Sequence, residues 1–134
     1  RRRAAARHGE AIADGRLRLT DGVAETLPYA SRAMDRVLLV NTLYFCDDPL
    51  GALREVRRVL RPDGRLVLAY RPAERMRQLH VTQYDFRPRD DEEVLGLLAE
   101  SGFEVLAMEM CSDDGVGYCC VVAAPWDAAS GGGL

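Results

Sequence analysis

The chain has 134 residues, enough for one domain with a single core, and its 48% hydrophobic and 29% charged residues are ordinary for a globular protein. A net charge of -3 gives no basis for nucleic-acid binding, and no stretch reaches the roughly 18–20 apolar residues needed to span a bilayer. All 18 basic residues are arginine, a compositional bias that weakens any argument from the Arg-rich start.

Residues Arg1 to Ala13 are good helix formers that stop at Asp14-Gly15, so the chain opens on the tail of a helix. Leu17 to Thr20 alternates apolar and polar as a short strand does, and Asp21-Gly22 closes it. Val37 to Val40 is a continuous apolar run, which predicts a parallel strand covered on both faces and ending at Asn41.

Asp48 followed by Pro49 reads as an N-cap with proline in the first helical position, and Leu50, Leu53, Val56 and Leu60 follow at helical spacing. Pro62-Asp63-Gly64 predicts a turn into a strand over Leu66 to Tyr70. From Ala73 to Arg89 there is no clean period, and the segment reads as a long connection or lid. Asp90 with Glu93 predicts a capped helix carrying Val94, Leu97 and Leu98, stopped by Gly102. Phe103 to Cys111 and Tyr118 to Ala124, separated by Ser112-Asp113-Asp114-Gly115, predict an antiparallel hairpin. The reading is one domain over residues 1–125 and a disordered tail over 126–134 that ends in Gly131, Gly132 and Gly133. Cys46, Cys111, Cys119 and Cys120 contain no C-x-x-C pair, so they read as reduced thiols rather than metal ligands, consistent with a cytoplasmic protein. This alternation of helices and strands predicts an α/β, doubly wound sheet.

Three linked blocks resemble the methyltransferase type 11 group of class I S-adenosylmethionine-dependent methyltransferases. Asp21 to Tyr29, DGVAETLPY, is similar to the family's G-D-A-E-x-L-P-F loop. Met34 to Phe45, MDRVLLVNTLYF, is similar to its F-D-x-V strand and following loop. Ala52 to Leu68, ALREVRRVLRPDGRLVL, looks like its E-x-x-R-V-L-K-P-G-G helix, turn and strand, with Asp63 in place of the first glycine.

The resemblance implies a Rossmann-like methyltransferase sheet with a C-terminal antiparallel hairpin, and S-adenosyl-L-methionine as cofactor. It implies cofactor contacts at Val23, Ala24, Glu25, Val40, Asn41 and Thr42. Val23 stands where the family has an adenine-binding aspartate, which leaves backbone amides for that task. The family's G-x-G-x-G loop and the acidic residue after its second strand have no counterpart here, so the chain is expected to be N-terminally truncated with the first two strands missing. Removing those strands leaves the family's fourth, fifth, seventh and sixth strands contiguous in that order. It also exposes Val37 to Val40 as an edge and leaves Leu17 to Thr20 without a neighbour.

On the substrate side Tyr44, His80 and Tyr84 are the candidates, with Asp85 beside them, for a small-molecule or other nucleophile. No catalytic residue is obligatory for methyl transfer, because the cofactor carries the reactive group and the protein positions the acceptor. Asp48 is explained by capping and Asp47 by solvation. The alternative function is a non-catalytic α/β module that folds alone or on a partner and only binds.

Overall fold

The structure is a computed structural model, and it describes residues 2–72, 90–112 and 117–127. Among these residues four strands form one sheet in the order β1-β2-β4-β3, where β1 is Met34–Val40, β2 Leu60–Tyr70, β3 Phe103–Cys111 and β4 Tyr118–Pro125. Strands β1 and β2 are parallel, whereas β2 with β4 and β4 with β3 are antiparallel. This is the contiguous order expected from the resemblance, with the hairpin where the turn residues predict it.

Helix α3, Pro49–Val59, crosses from β1 to β2. The Asp48 carboxylate accepts from the Gly51 amide at 2.9 Å and so satisfies one of the free donors of the first turn. Its buried face is Ala52, Leu53, Val56 and Val59 rather than the Leu50 and Leu60 of the sequence reading, because Leu60 already belongs to β2. Helix α4, Asp91–Glu100, starts as expected, with Asp90 accepting from the Glu93 amide at 2.8 Å, and it buries Val94 and Leu98. Gly102 ends it at φ 90, a left-handed position that glycine adopts without Cβ strain.

Both helices cover one face of the sheet. Leu66, Leu68 and Tyr70 of β2 and Cys119, Val121 and Ala123 of β4 alternate onto that face and join Leu53, Val56, Val94 and Leu98 in one core. On the opposite face Leu38 and Val40 are 65% and 53% exposed, and Val67, Ala69, Cys120 and Val122 are half-buried. The expectation that Val37 to Val40 is covered on both faces is therefore corrected. Val37 and Leu39 pack on the core, while their neighbours face outward on an edge strand.

Three other readings change. Leu17 to Thr20 is not a strand; no described strand lies beside it, and ladder bonding needs a partner. The opening helix divides into α1, Arg2–Arg7, and α2, Gly9–Ala13, broken at His8 before a glycine, and neither buries a residue. The Pro62-Asp63-Gly64 turn lies inside β2 as a bulge, since Met34 pairs with Leu60 but Arg36 pairs with Arg65. Past β4, the Trp126 amide donates to the Gly102 carbonyl at 2.8 Å.

Candidate functional site

The carboxyl end of β1 is where an open parallel arrangement gathers ligands. Asn41 follows it at φ 55, a left-handed conformation that asparagine tolerates better than most residues. Its amide still donates to the Ala69 carbonyl at 2.9 Å, so the chain leaves the sheet abruptly just after the last ladder bond. The Thr42 hydroxyl donates to the Val40 carbonyl at 3.3 Å, and a short 3-10 helix, Leu43–Phe45, anchors the loop through buried Leu43.

Val23, Ala24, Glu25, Val40, Asn41 and Thr42 line one open concavity of about 430 Å³, together with Phe45 and Cys46. The structure thus brings together all six residues that the sequence reading assigned to cofactor. The 23–25 side is shaped by a tight turn in which the Thr26 amide donates to the Val23 carbonyl at 3.1 Å. The backbone of Tyr44 lies in the 3-10 helix, while His80, Tyr84 and Asp85 lie outside the described residues.

A second concavity of about 320 Å³ adjoins the first and shares Val40 and Asn41 with it, its other walls being Ala69, Tyr70, Arg71 and Tyr118. Sequence reasoning missed these residues. The carboxyl-end rule applied to β2 as well as β1 points to Ala69 and Tyr70, but Tyr118 arrives only through the antiparallel register that sets Tyr70 opposite Cys119.

Beneath this rim the Tyr70 hydroxyl donates to Asp91 at 2.7 Å. Burial, reinforced by that carboxylate, pushes the phenol well above its usual range. Burial likewise raises the Cys119 thiol. Both are neutral at physiological pH, so neither is an activated nucleophile. The described walls carry one carboxylate, Glu25, and one guanidinium, Arg71, with Asn41, Thr42 and two tyrosines among apolar side chains. The chemistry of such a surface suits an amphipathic ligand.

This strand order, with concavities at the carboxyl ends of β1 and β2, is that of the Rossmann-like methyltransferase fold. The model of the methyltransferase domain family matches residues 1–68, and the chain belongs to that family. An uncharacterised protein of Mycobacterium tuberculosis is 35% identical over 98 residues, which is 66% of this chain and 34% of that protein. The chain therefore spans about a third of the length of these mycobacterial relatives. Among solved structures, the cyclase SpnF superposes with a TM-score of 0.73 at 20% identity, over 92% of this chain and 62% of its own. The 1,6-didemethyltoxoflavin-N1-methyltransferase of Burkholderia thailandensis, bound to 1,6-didemethyltoxoflavin and S-adenosylhomocysteine, gives 0.71 at 18% identity, over 89% of this chain and 56% of its own. No helix among the described residues is long and apolar enough to cross a membrane.

Proposed function

We propose that residues 1–125 form part of a cytoplasmic S-adenosyl-L-methionine-dependent methyltransferase domain, with Val23, Ala24, Glu25, Val40, Asn41 and Thr42 on the cofactor. The observation that carries this reading is the convergence of two segments far apart in sequence, 23–25 and 40–42, on one concavity at the carboxyl end of β1.

The residues present fit the cofactor in kind. Val23, Ala24 and Val40 offer an apolar wall to a flat ring, the backbone of 23–25 offers amides and carbonyls, and Glu25 offers a carboxylate. S-adenosyl-L-methionine, when bound, supplies an electrophilic methyl group. The task left to the chain is to hold an acceptor in line with it, and the second concavity, between Asn41 and Tyr118, is the adjoining space for that acceptor. Tyr44, His80 and Tyr84 are the proposed acceptor-side residues. A small-molecule acceptor is favoured by the likeness to the Burkholderia enzyme with its small substrate bound.

The chain by itself is expected to bind weakly, because the concavity is open and the sequence contains no glycine-rich loop to close around the cofactor's carboxylate end. Calorimetric titration of S-adenosylmethionine, with amide chemical shifts followed in parallel, tests this. Weak binding with shifts concentrated at 23–25 and 40–42 supports the reading. Micromolar affinity overturns the account of the open site, and shifts confined elsewhere overturn the residue assignment.

A further inference from the structure

Among the described residues, the loop that presents Val23, Ala24 and Glu25 pairs with no strand beyond its own turn. Apolar packing fixes it only in part, through Leu27, which is half-buried against the core. Ala24, Leu27 and Tyr29 roof a cavity of about 250 Å³ whose floor includes Val37, Leu39 and Val56. Dispersion forces fall away steeply across a gap, so the loop needs another tether.

That tether is a pair of side chains one turn apart on α3. Glu55 accepts from the Leu27 amide at 2.7 Å and from two nitrogens of Arg58, at 2.6 and 3.0 Å. Arg58 in turn donates to the Leu27 carbonyl at 3.2 Å, the Tyr29 carbonyl at 2.9 Å and the Ser31 hydroxyl at 3.2 Å. The Arg58 carbonyl accepts from the Arg32 amide at 2.9 Å, where the chain turns back at φ 56. Both polar groups of the Leu27 backbone are thus satisfied by two side chains, as a neighbouring strand would satisfy them.

We propose that Glu55 and Arg58 are positioning residues for the cofactor: they hold 27–31 against α3 and thereby set Val23 to Glu25 opposite Val40 to Thr42. The proposal rests on the cofactor reading above. The planar fork of arginine reaches two carbonyls, a hydroxyl and a carboxylate at once, which the point charge of lysine does not reproduce. Arg57, the preceding residue on the helix, is tethered elsewhere, to the Gly102 and Trp126 carbonyls at 2.9 Å each. It provides a control that perturbs α3 without touching the loop.

The test compares Arg58→Lys, Glu55→Gln and the control Arg57→Lys by amide hydrogen exchange and by titration with S-adenosylhomocysteine followed by NMR. In the first two variants, amides of 23–31 are expected to exchange about tenfold faster and affinity to fall about tenfold, because hydrogen bonds to charged groups are lost. Amides of Leu66, Leu68 and Val121 keep their protection, and Arg57→Lys leaves both the loop and the affinity unchanged. Unaltered loop exchange in Arg58→Lys overturns the clamp. Faster exchange with unaltered affinity, or an equal loss of affinity in Arg57→Lys, overturns its link to the ligand. Absence of any ligand-induced shift in the unsubstituted chain instead overturns the cofactor reading, and with it the ligand half of the proposal.

Discussion

Replacing Leu38 with lysine, and separately Leu39 with lysine, asks two adjacent positions of β1 to carry the same charge. Leu38 is 65% exposed, so about a third of its side-chain burial is at stake. With about 1.5–3 kcal/mol for a fully buried leucine, the cost is roughly 0.5–1 kcal/mol, and the lysine head stays in water. Leu39 packs on the core, where an ammonium finds no partner, and its replacement should cost at least about 3 kcal/mol, a large fraction of a small domain's stability. Urea denaturation followed by circular dichroism measures both. Among the described residues β1 is also an edge strand, a template for pairing with another chain, and Leu38 and Val40 flank that edge on the exposed face. Leu38→Lys combined with Val40→Lys should therefore reduce concentration-dependent association on size exclusion while the fold persists. Equal destabilisation by the two single substitutions, or association that the paired charges leave untouched, would refute the assignment of faces.

Tyr70→Phe removes a buried hydroxyl from the Asp91 carboxylate and should lower stability by about 1–2 kcal/mol in thermal melts, since half-exposed Asp91 can turn to water. A loss beyond about 4 kcal/mol would mean that the ring also shifts. At Asn41, glycine should be accepted within about 0.5 kcal/mol, whereas valine should cost about 1–2 kcal/mol through its Cβ branch at positive φ; equal stability of the two contradicts the left-handed geometry. The Arg58 guanidinium, followed by the Leu27 amide, holds the Glu55 carboxyl below its usual range. Its folded value lies below the unfolded one of about 4.3, so its contribution is complete above about pH 5 and is lost as pH falls through the depressed value. Protection of the Leu27 amide, corrected for intrinsic exchange, should follow that course, and protection that grows on acidification is incompatible with it.

What could be read from the sequence was local. Asp48 with Pro49, Asp90 with Glu93, and Gly102 mark helix ends through contacts within four residues, and each stands where expected. Strand limits were less legible. Asp35 and Arg36 carry no apolar signal, yet they lie in β1, and Leu60 enters β2 directly from α3. Leu17 to Thr20 has the alternation of a strand but not the partner, and a strand is a property of two segments. The six cofactor-side positions were legible through the family resemblance together with the carboxyl-end rule. The task of Glu55 and Arg58 was not, although both stand in the quoted motif, because most of their loop partners lie 27 to 31 positions away. Pairings at that distance leave no period in the chain.

The sheet order also divides the domain into halves that differ in history as the chain folds. Residues 34–70 form a strand-helix-strand unit, and residues 91–125 a helix and hairpin, each built from neighbours in sequence. Their strands meet along one seam, from Leu66 opposite Ala123 to Tyr70 opposite Cys119, and beside it α3 packs on α4 in the shared core. Closing that seam is the long-range event in folding, so it should set the rate more than either half does.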